Sequence, residues 1–142
     1  MQDFSVETRQ AILLAMKANA GIIGLVPAAR IFPAFVPGVP IFPFMRMGPP
    51  AAVPFSASCL NGQSLLIAIH CWAKGGDENA AAINKAVMAL FGGASDRDSG
   101  YALDIGAGAE AYLYISGAQI LQDPDETSAY HGIVDCQIDV LA

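Results

Sequence analysis

Eight of the nine prolines of this chain fall between Pro27 and Pro54, in the run VPAARIFPAFVPGVPIFPFMRMGPPAAVPF. Each proline fixes one backbone torsion and removes one amide donor, so the run is excluded from helix and from the centre of a sheet. Short edge strands, such as 29 to 32 and 41 to 45, are what the spacing leaves. A flexible linker would be polar, yet Phe32, Phe35, Phe42, Phe44 and Phe55 recur here with Ile and Val between them. The segment therefore reads as a semi-rigid, apolar arm at about residues 27–55. Its rings need a cover, either the chain's own core or a subunit contact. Shortening the stretch from Pro33 to Pro54 is expected to block assembly and leave a folded domain.

At 142 residues the chain is most simply one domain, 1–142, large enough for a real core. Hydrophobic residues make up 54% and charged residues 14%, against roughly a quarter charged in ordinary soluble domains. A monomer of that composition leaves apolar area uncovered, which points to a homo-oligomer. A net charge of -6 with seven Lys and Arg excludes nucleic-acid binding by phosphate neutralisation. Cys59, Cys71 and Cys136 are odd in number and contain no CxxC pair, so neither a disulfide framework nor a zinc knuckle is written in them. That usage fits a reducing cytoplasm. Asp3 and Glu7 precede the apolar run AILLAM, the wrong charge for a secretory signal. The apolar stretch from Ala20 to Met45 is broken by Arg30 and five prolines, so no membrane span is expected.

Residues Ser5 to Ala20 have helical spacing, with Asp3 or Ser5 as cap and Val6, Ile12, Leu13, Met16 and Ala20 on the apolar face. Arg9 breaks that face and Leu14 lies outside it. In SASCLNGQSLLIAIHCWA the Asn-Gly pair signals a turn between two strands. Along the second strand Leu65, Ile67, Ile69 and Cys71 share one side, and Leu66, Ala68, His70 and Trp72 the other. His70 and Cys71 therefore cannot act on one substrate. Both sides are apolar, so helices are expected over one and a neighbouring subunit over the other. Gly-Gly-Asp then caps a helix at Asp77; residues 78 to 91 bury Ile83, Val87, Leu90 and Phe91, turn Lys85 outward and stop at Gly92-Gly93. Strands are expected from Tyr101 to Ile105, Ala111 to Leu121 and Gly132 to Leu141. The fold class is α+β: a mostly antiparallel sheet, two helices packed on it and the Pro-rich arm.

No catalytic pattern emerges. GAGAEA at 106 to 111 matches a loose dinucleotide fingerprint, but the alternation YLYISGAQIL behind it is a strand, not the helix that would face a pyrophosphate. No nucleophile elbow, HExxH or P-loop is present. His131, Asp135 and Cys136 offer ligand types without a recognised metal spacing; they define the alternative reading, a small oligomeric enzyme or a metal- or ligand-binding α+β domain. Asp123, Asp125 and Glu126 form an acidic loop, facing a lumen or solvent, too short for a calcium site.

Three segments in order resemble the tail-completion, or tail-terminator, family of long-tailed bacteriophages and related gene-transfer particles. They are ARIFPAFVPGVPIFPFMRMG, LLIAIHCWAKGGDENAAAINKAVMALF and QILQDPDETSAYHGIVDCQIDV, which span most of the chain from residue 29 onward. Asp135 and Gln137 stand where relatives usually carry basic residues. The resemblance implies a non-enzymatic virion protein without cofactor or metal: a hexameric ring that ends the tail tube and joins it to the head connector. Its implied partners are further copies of itself, the tail tube protein and the connector or stopper, with DNA passing transiently through the channel. The implied location is the head-proximal end of the tail, assembled in the bacterial cytoplasm. Phe32, Phe35, Phe42, Phe44, Phe55 and Trp72 are the expected subunit or partner contacts.

Overall fold

Alternation makes one long strand, β4 (Leu60–Lys74), the spine of the fold: Leu65, Ile67, Ile69, Cys71 and Ala73 are buried, while Ala68, His70 and Trp72 are half-buried and Leu66 is exposed. The computed structural model describes residues 3–57, 60–92, 100–106, 108–125 and 128–141. Along one edge β4 pairs antiparallel with β7 (Ala129–Leu141), from Gly62 opposite Leu141 to Lys74 opposite Ala129. β7 pairs with β6 (Glu110–Gln122), and β6 with the short β5 (Tyr101–Leu103). Along its other edge β4 carries β2 (Phe44–Met47) and β3 (Ala51–Ala57); β2 in turn carries β1 (Ile31–Phe32), the one parallel pairing described. The strand order is β1-β2-β4-β7-β6-β5. Strands and helices together give the α+β class read from the sequence.

The helices α1 (Ser5–Lys17), α2 (Ala20–Ile23) and α3 (Asp77–Leu90) close one face. Ile12, Leu13 and Met16 of α1 and Ala80, Ile83 and Val87 of α3 join the inward set of β4, Val134, Cys136 and Ile138 of β7 and Leu113 of β6 in one buried cluster. Lys85 is exposed and Leu14 is outside the stripe, as their spacing requires. Val6 does not join the face. It lies on the side of Leu13 but about two turns earlier, past the last buried position, Thr8, and is 68% exposed while Phe4 closes the core there. Phe4 is held by its amide, which donates to Gln63 Oε1 at 2.8 Å. The long helix ends at Lys17, so Ala20 opens α2 and is exposed; Asn19 caps that second helix by accepting from the Ile22 amide.

Both expected caps differ in detail. Phe4 is the N-cap of α1, and the Asp3 carboxylate instead accepts from the Ser5 amide at 2.9 Å. Gly76 is the N-cap of α3, so Asp77 sits in the first helical turn, where its charge still meets the positive end of the helix. The Asn61-Gly62 pair is not a turn: both residues lie inside β4, opposite Ser56 and Phe55 of β3, in a ladder that runs to Ala57 opposite Leu60; residues 58 and 59 lie outside the described residues. Cys59 falls there as well. Among the described residues no helix is long and apolar enough to cross a membrane.

The proline run contains more strand than its composition suggests. Residues 28 to 30 are a 3-10 turn, not a strand, and β2 begins at Phe44, later than the expected 41. β2 is also an interior strand, flanked by β1 and β4. Prolines 43 and 49 bracket it without entering it, so its own ladder donors are intact. Pro54 does lie in a strand, β3, whose described pairing is on one side only. What remains an arm is residues 33 to 43, the return between two parallel strands that no tight hairpin can join.

Candidate functional site

Three residues of this arm leave large apolar side chains in water: Phe35 is 79% exposed, Val39 90% and Ile41 68%. The arm is tied at its base, where Arg30 Nη1 donates to the Phe42 carbonyl at 2.9 Å and the Phe42–Pro43 peptide is cis. The Phe42 ring meets Phe44 edge-on at 5.2 Å, and the Lys74 ammonium lies 4.7 Å from its centre. Phe32 and Phe42 are half-buried and Phe44 is buried. The side chain of Phe55, in β3, lies outside the described residues.

From Phe44 a row of side chains crosses the sheet on the face turned away from the buried set. Pairing places Phe44, Trp72, His131 and Leu121 side by side on β2, β4, β7 and β6. Phe44 stacks on Trp72 at 4.8 Å, and Trp72 on His131 at 4.2 Å, with planes 10° and 11° apart. The neighbouring row is Arg46, His70, Ile133 and Gln119. The Arg46 guanidinium lies 5.2 Å over the Trp72 ring, and His70 Nδ1 is 2.7 Å from His131 Nε2, so one imidazole donates its N–H to the other. Between this row and the arm is a groove of about 600 Å³ lined by Arg9, Phe35, Val36, Phe44, Arg46 and Trp72, among others.

The histidine pair is electrostatically unsuited to carrying charge. Burial, the neighbouring His131 and then Arg46 bring His70 down from 6.5 to about 4, with Asp135 opposing. His131 is lowered too, by burial and Arg46 against Asp123. A histidine that is harder to protonate folded than unfolded adds stability in full above pH 6.5, and loses that contribution as the pH falls toward about 4. Urea titrations should show the wild type losing about 1 kcal/mol more than His70→Gln between pH 7 and 4.5, a figure reduced for the screening of half-exposed rings. Equal slopes in the two proteins would contradict this account.

The trio His131, Asp135 and Cys136 is not assembled into one site. Strand alternation puts His131 and Asp135 on the outer face and buries Cys136 on the inner one. Burial pushes the thiols of Cys71 and Cys136 up to about 12, so both stay protonated. Among the described residues no group of three or more His, Cys, Asp and Glu could hold a metal ion. In the run at 106 to 111, Gly106 and Gly108 have positive φ and β6 begins at Glu110, with no helix there among the described residues; residue 107 lies outside them. In the acidic loop Asp123 is half-buried and accepts from the Asp125 amide at 2.9 Å, Asp125 is exposed, and Glu126 lies outside the described residues.

Aromatic side chains and arginine are residue types enriched at the centres of protein contacts. Sequence reasoning reached the aromatic members and missed both arginines. Arg9 had a visible signal, the break it makes in the apolar stripe of α1. Arg46 and the pairing of His70 with His131 had none, because both depend on which strands become neighbours.

The sequence matches the family described as "Tail completion protein gp17" over residues 10–140. No curated protein matches it. Among solved structures, a chain of one described as "Virion of native gene transfer agent (GTA) particle" superposes with a TM-score of 0.76 over 94% of each chain, at 18% identity. At that identity the likeness is one of fold.

Proposed function

The chain belongs to the tail completion protein gp17 family, so it is a structural tail protein, and from that premise we propose that it forms a hexameric ring ending the tail tube. The ring joins the tube to the connector or stopper of the head, and DNA crosses its lumen in transit. Its place is the head-proximal end of the tail, and it assembles in the bacterial cytoplasm. The work is done by shape and self-association, with no catalytic residue assigned.

The observation that carries this reading is the exposed arm. Residues 31 to 45 contain no charged side chain, and Phe35, Val39 and Ile41 stand in water in the single chain. A rigid, apolar loop tied at its base loses little freedom on docking, which favours a permanent subunit contact. The net charge of -6 suits a channel that DNA must pass without sticking.

Phe35→Ser/Val39→Ser/Ile41→Ser tests the assignment. All three side chains are exposed, so the melting temperature should stay close to wild type. Negative-stain images should show rings for the wild type and none for the variant. Native rings from the triple variant that still complete tails would remove the arm from the interface.

A further inference from the structure

We propose that the end of β6 and the Asp123–Asp125 turn behind it in one copy seat in the Arg9–Arg46 groove of the next, closing the ring by a charge-paired, head-to-tail contact. The inference rests on the ring reading above and names the surfaces that would meet.

The groove is the receiving side. It combines apolar walls, Phe35, Val36, Phe44 and Trp72, with two guanidinium groups in a chain that has seven Lys and Arg in all. Among the described residues neither Arg9 nor Arg46 is ion-paired with a carboxylate; the Arg46 guanidinium lies over the face of Trp72. Such a site fits a segment that is apolar along its length and acidic at its end.

The far half of β6 is uncharged, with Ala118, Ile120 and Leu121 as its apolar members, and leads into an acidic turn. Ser116, Ala118, Gln119, Ile120, Leu121 and Gln122 are all exposed and carry no charge, and α3 touches this half of the strand through Asn84, whose Nδ2 donates to the Gln119 carbonyl. Ile120 is 37% and Leu121 47% exposed, on opposite sides. Beyond Leu113 no described strand pairs with β6 on the side away from β7. A bare, uncharged edge strand is a liability that proteins usually cover. The turn that follows carries Asp123 and Asp125.

The sheet sets the two features at the same height. Leu121 and Phe44 end one register row, on β6 and β2, so the end of β6 and the groove lie near the same end of the strands but on opposite flanks. Three inter-strand steps, about 14 Å, separate them within one rigid sheet, so a copy cannot fill its own groove. A rotation about an axis roughly along the strands brings the β6 end of one copy to the groove of the next, and a heterologous contact of this kind repeats until the ring closes. The acidic loop is thereby assigned to a subunit boundary instead of the lumen.

Charge reversal tests the contact on the full-length protein by sedimentation velocity and negative stain. Arg9→Glu/Arg46→Glu and Asp123→Lys/Asp125→Lys, each alone, should weaken association on the order of a hundredfold, because each sets like charges face to face. Mixed in equal amounts they should restore rings, since every boundary then joins a reversed groove to a reversed turn or an unaltered groove to an unaltered turn. Wild-type rings that neither reversal disturbs, or reversals that break rings which mixing does not restore, would overturn the contact and leave the ring reading standing. A wild type that forms no ring would sink both. Should reversal beside Trp72 unfold the protein, Arg46→Gln with Asp123→Asn/Asp125→Asn carries the test as a double-mutant cycle: losses that fail to add support the pairing, and simple addition refutes it.

Discussion

Gly132→Val is expected to destabilise the protein by about 3 kcal/mol or more, and Gly132→Ala by about 1–3 kcal/mol. Gly132 is buried in β7 beneath α3, where a β-carbon would lie 2.5 Å from Asn84 Oδ1 and 2.6 Å from Cys71 Sγ. Neither neighbour has room to yield. Asn84 is buried and donates from Nδ2 to the Gln119 carbonyl at 3.2 Å, while its Oδ1 faces the Cys71 thiol at 3.5 Å. Moving Asn84 would strip a buried amide of its partners, and moving the strand would disturb the β4–β7 ladder that holds the sheet together. Urea denaturation gives the numbers directly. Adding Asn84→Ala to Gly132→Ala should recover part of the loss by removing the nearer obstacle; a Gly132→Val protein with unchanged stability would show that the strand and helix are not packed as described.

What was legible in the sequence were the elements with one strong period. β4 and the first half of β6 are continuous runs of apolar and aromatic residues, β7 alternates from Val134 to Val140, and α3 repeats Ile83, Val87 and Phe91 at helical spacing, so these elements could be read without knowing any neighbour. The five phenylalanines of the proline run were legible as a group, but which of them is exposed was not: Phe35 stands in water while Phe44 is buried. Where local rules competed with pairing, reading failed. Asn61-Gly62 carries a strong turn signal, yet the β3–β4 ladder extends across it as far as Ala57 opposite Leu60. Proline density suppressed β2, because a composition taken over the whole run cannot see five unbroken donors between Pro43 and Pro49. The groove is the furthest from legibility. Arg46 and His70 meet only because β2 lies beside β4, and Arg9 joins them from another element, so their juxtaposition is a property of topology and not of spacing.

Excising residues 33 to 54 is expected to abolish cooperative folding, the reverse of what the proline count alone suggests. The cut removes β2, whose Met45 and Met47 belong to the core and whose Phe44 is buried on the opposite face, at 0%, 1% and 6% exposure. Burial of three such side chains is worth roughly 5–9 kcal/mol at about 1.5–3 kcal/mol each, as much as the whole margin of many domains at about 5–15 kcal/mol. The loss goes further: Ile31 of β1 loses its ladder partner Met45, and Ile69 to Trp72 of β4 lose their pairing on that edge. Near-UV circular dichroism and urea titration should find no cooperative transition in the excised protein, whereas the triple serine variant of the arm keeps one near wild type. A sharp transition at wild-type urea concentration after excision would mean that β2 contributes nothing to the core. The contrast between the two variants separates the jobs of the proline run: its bare loop is free to meet another copy because the strand behind it is fixed in the sheet.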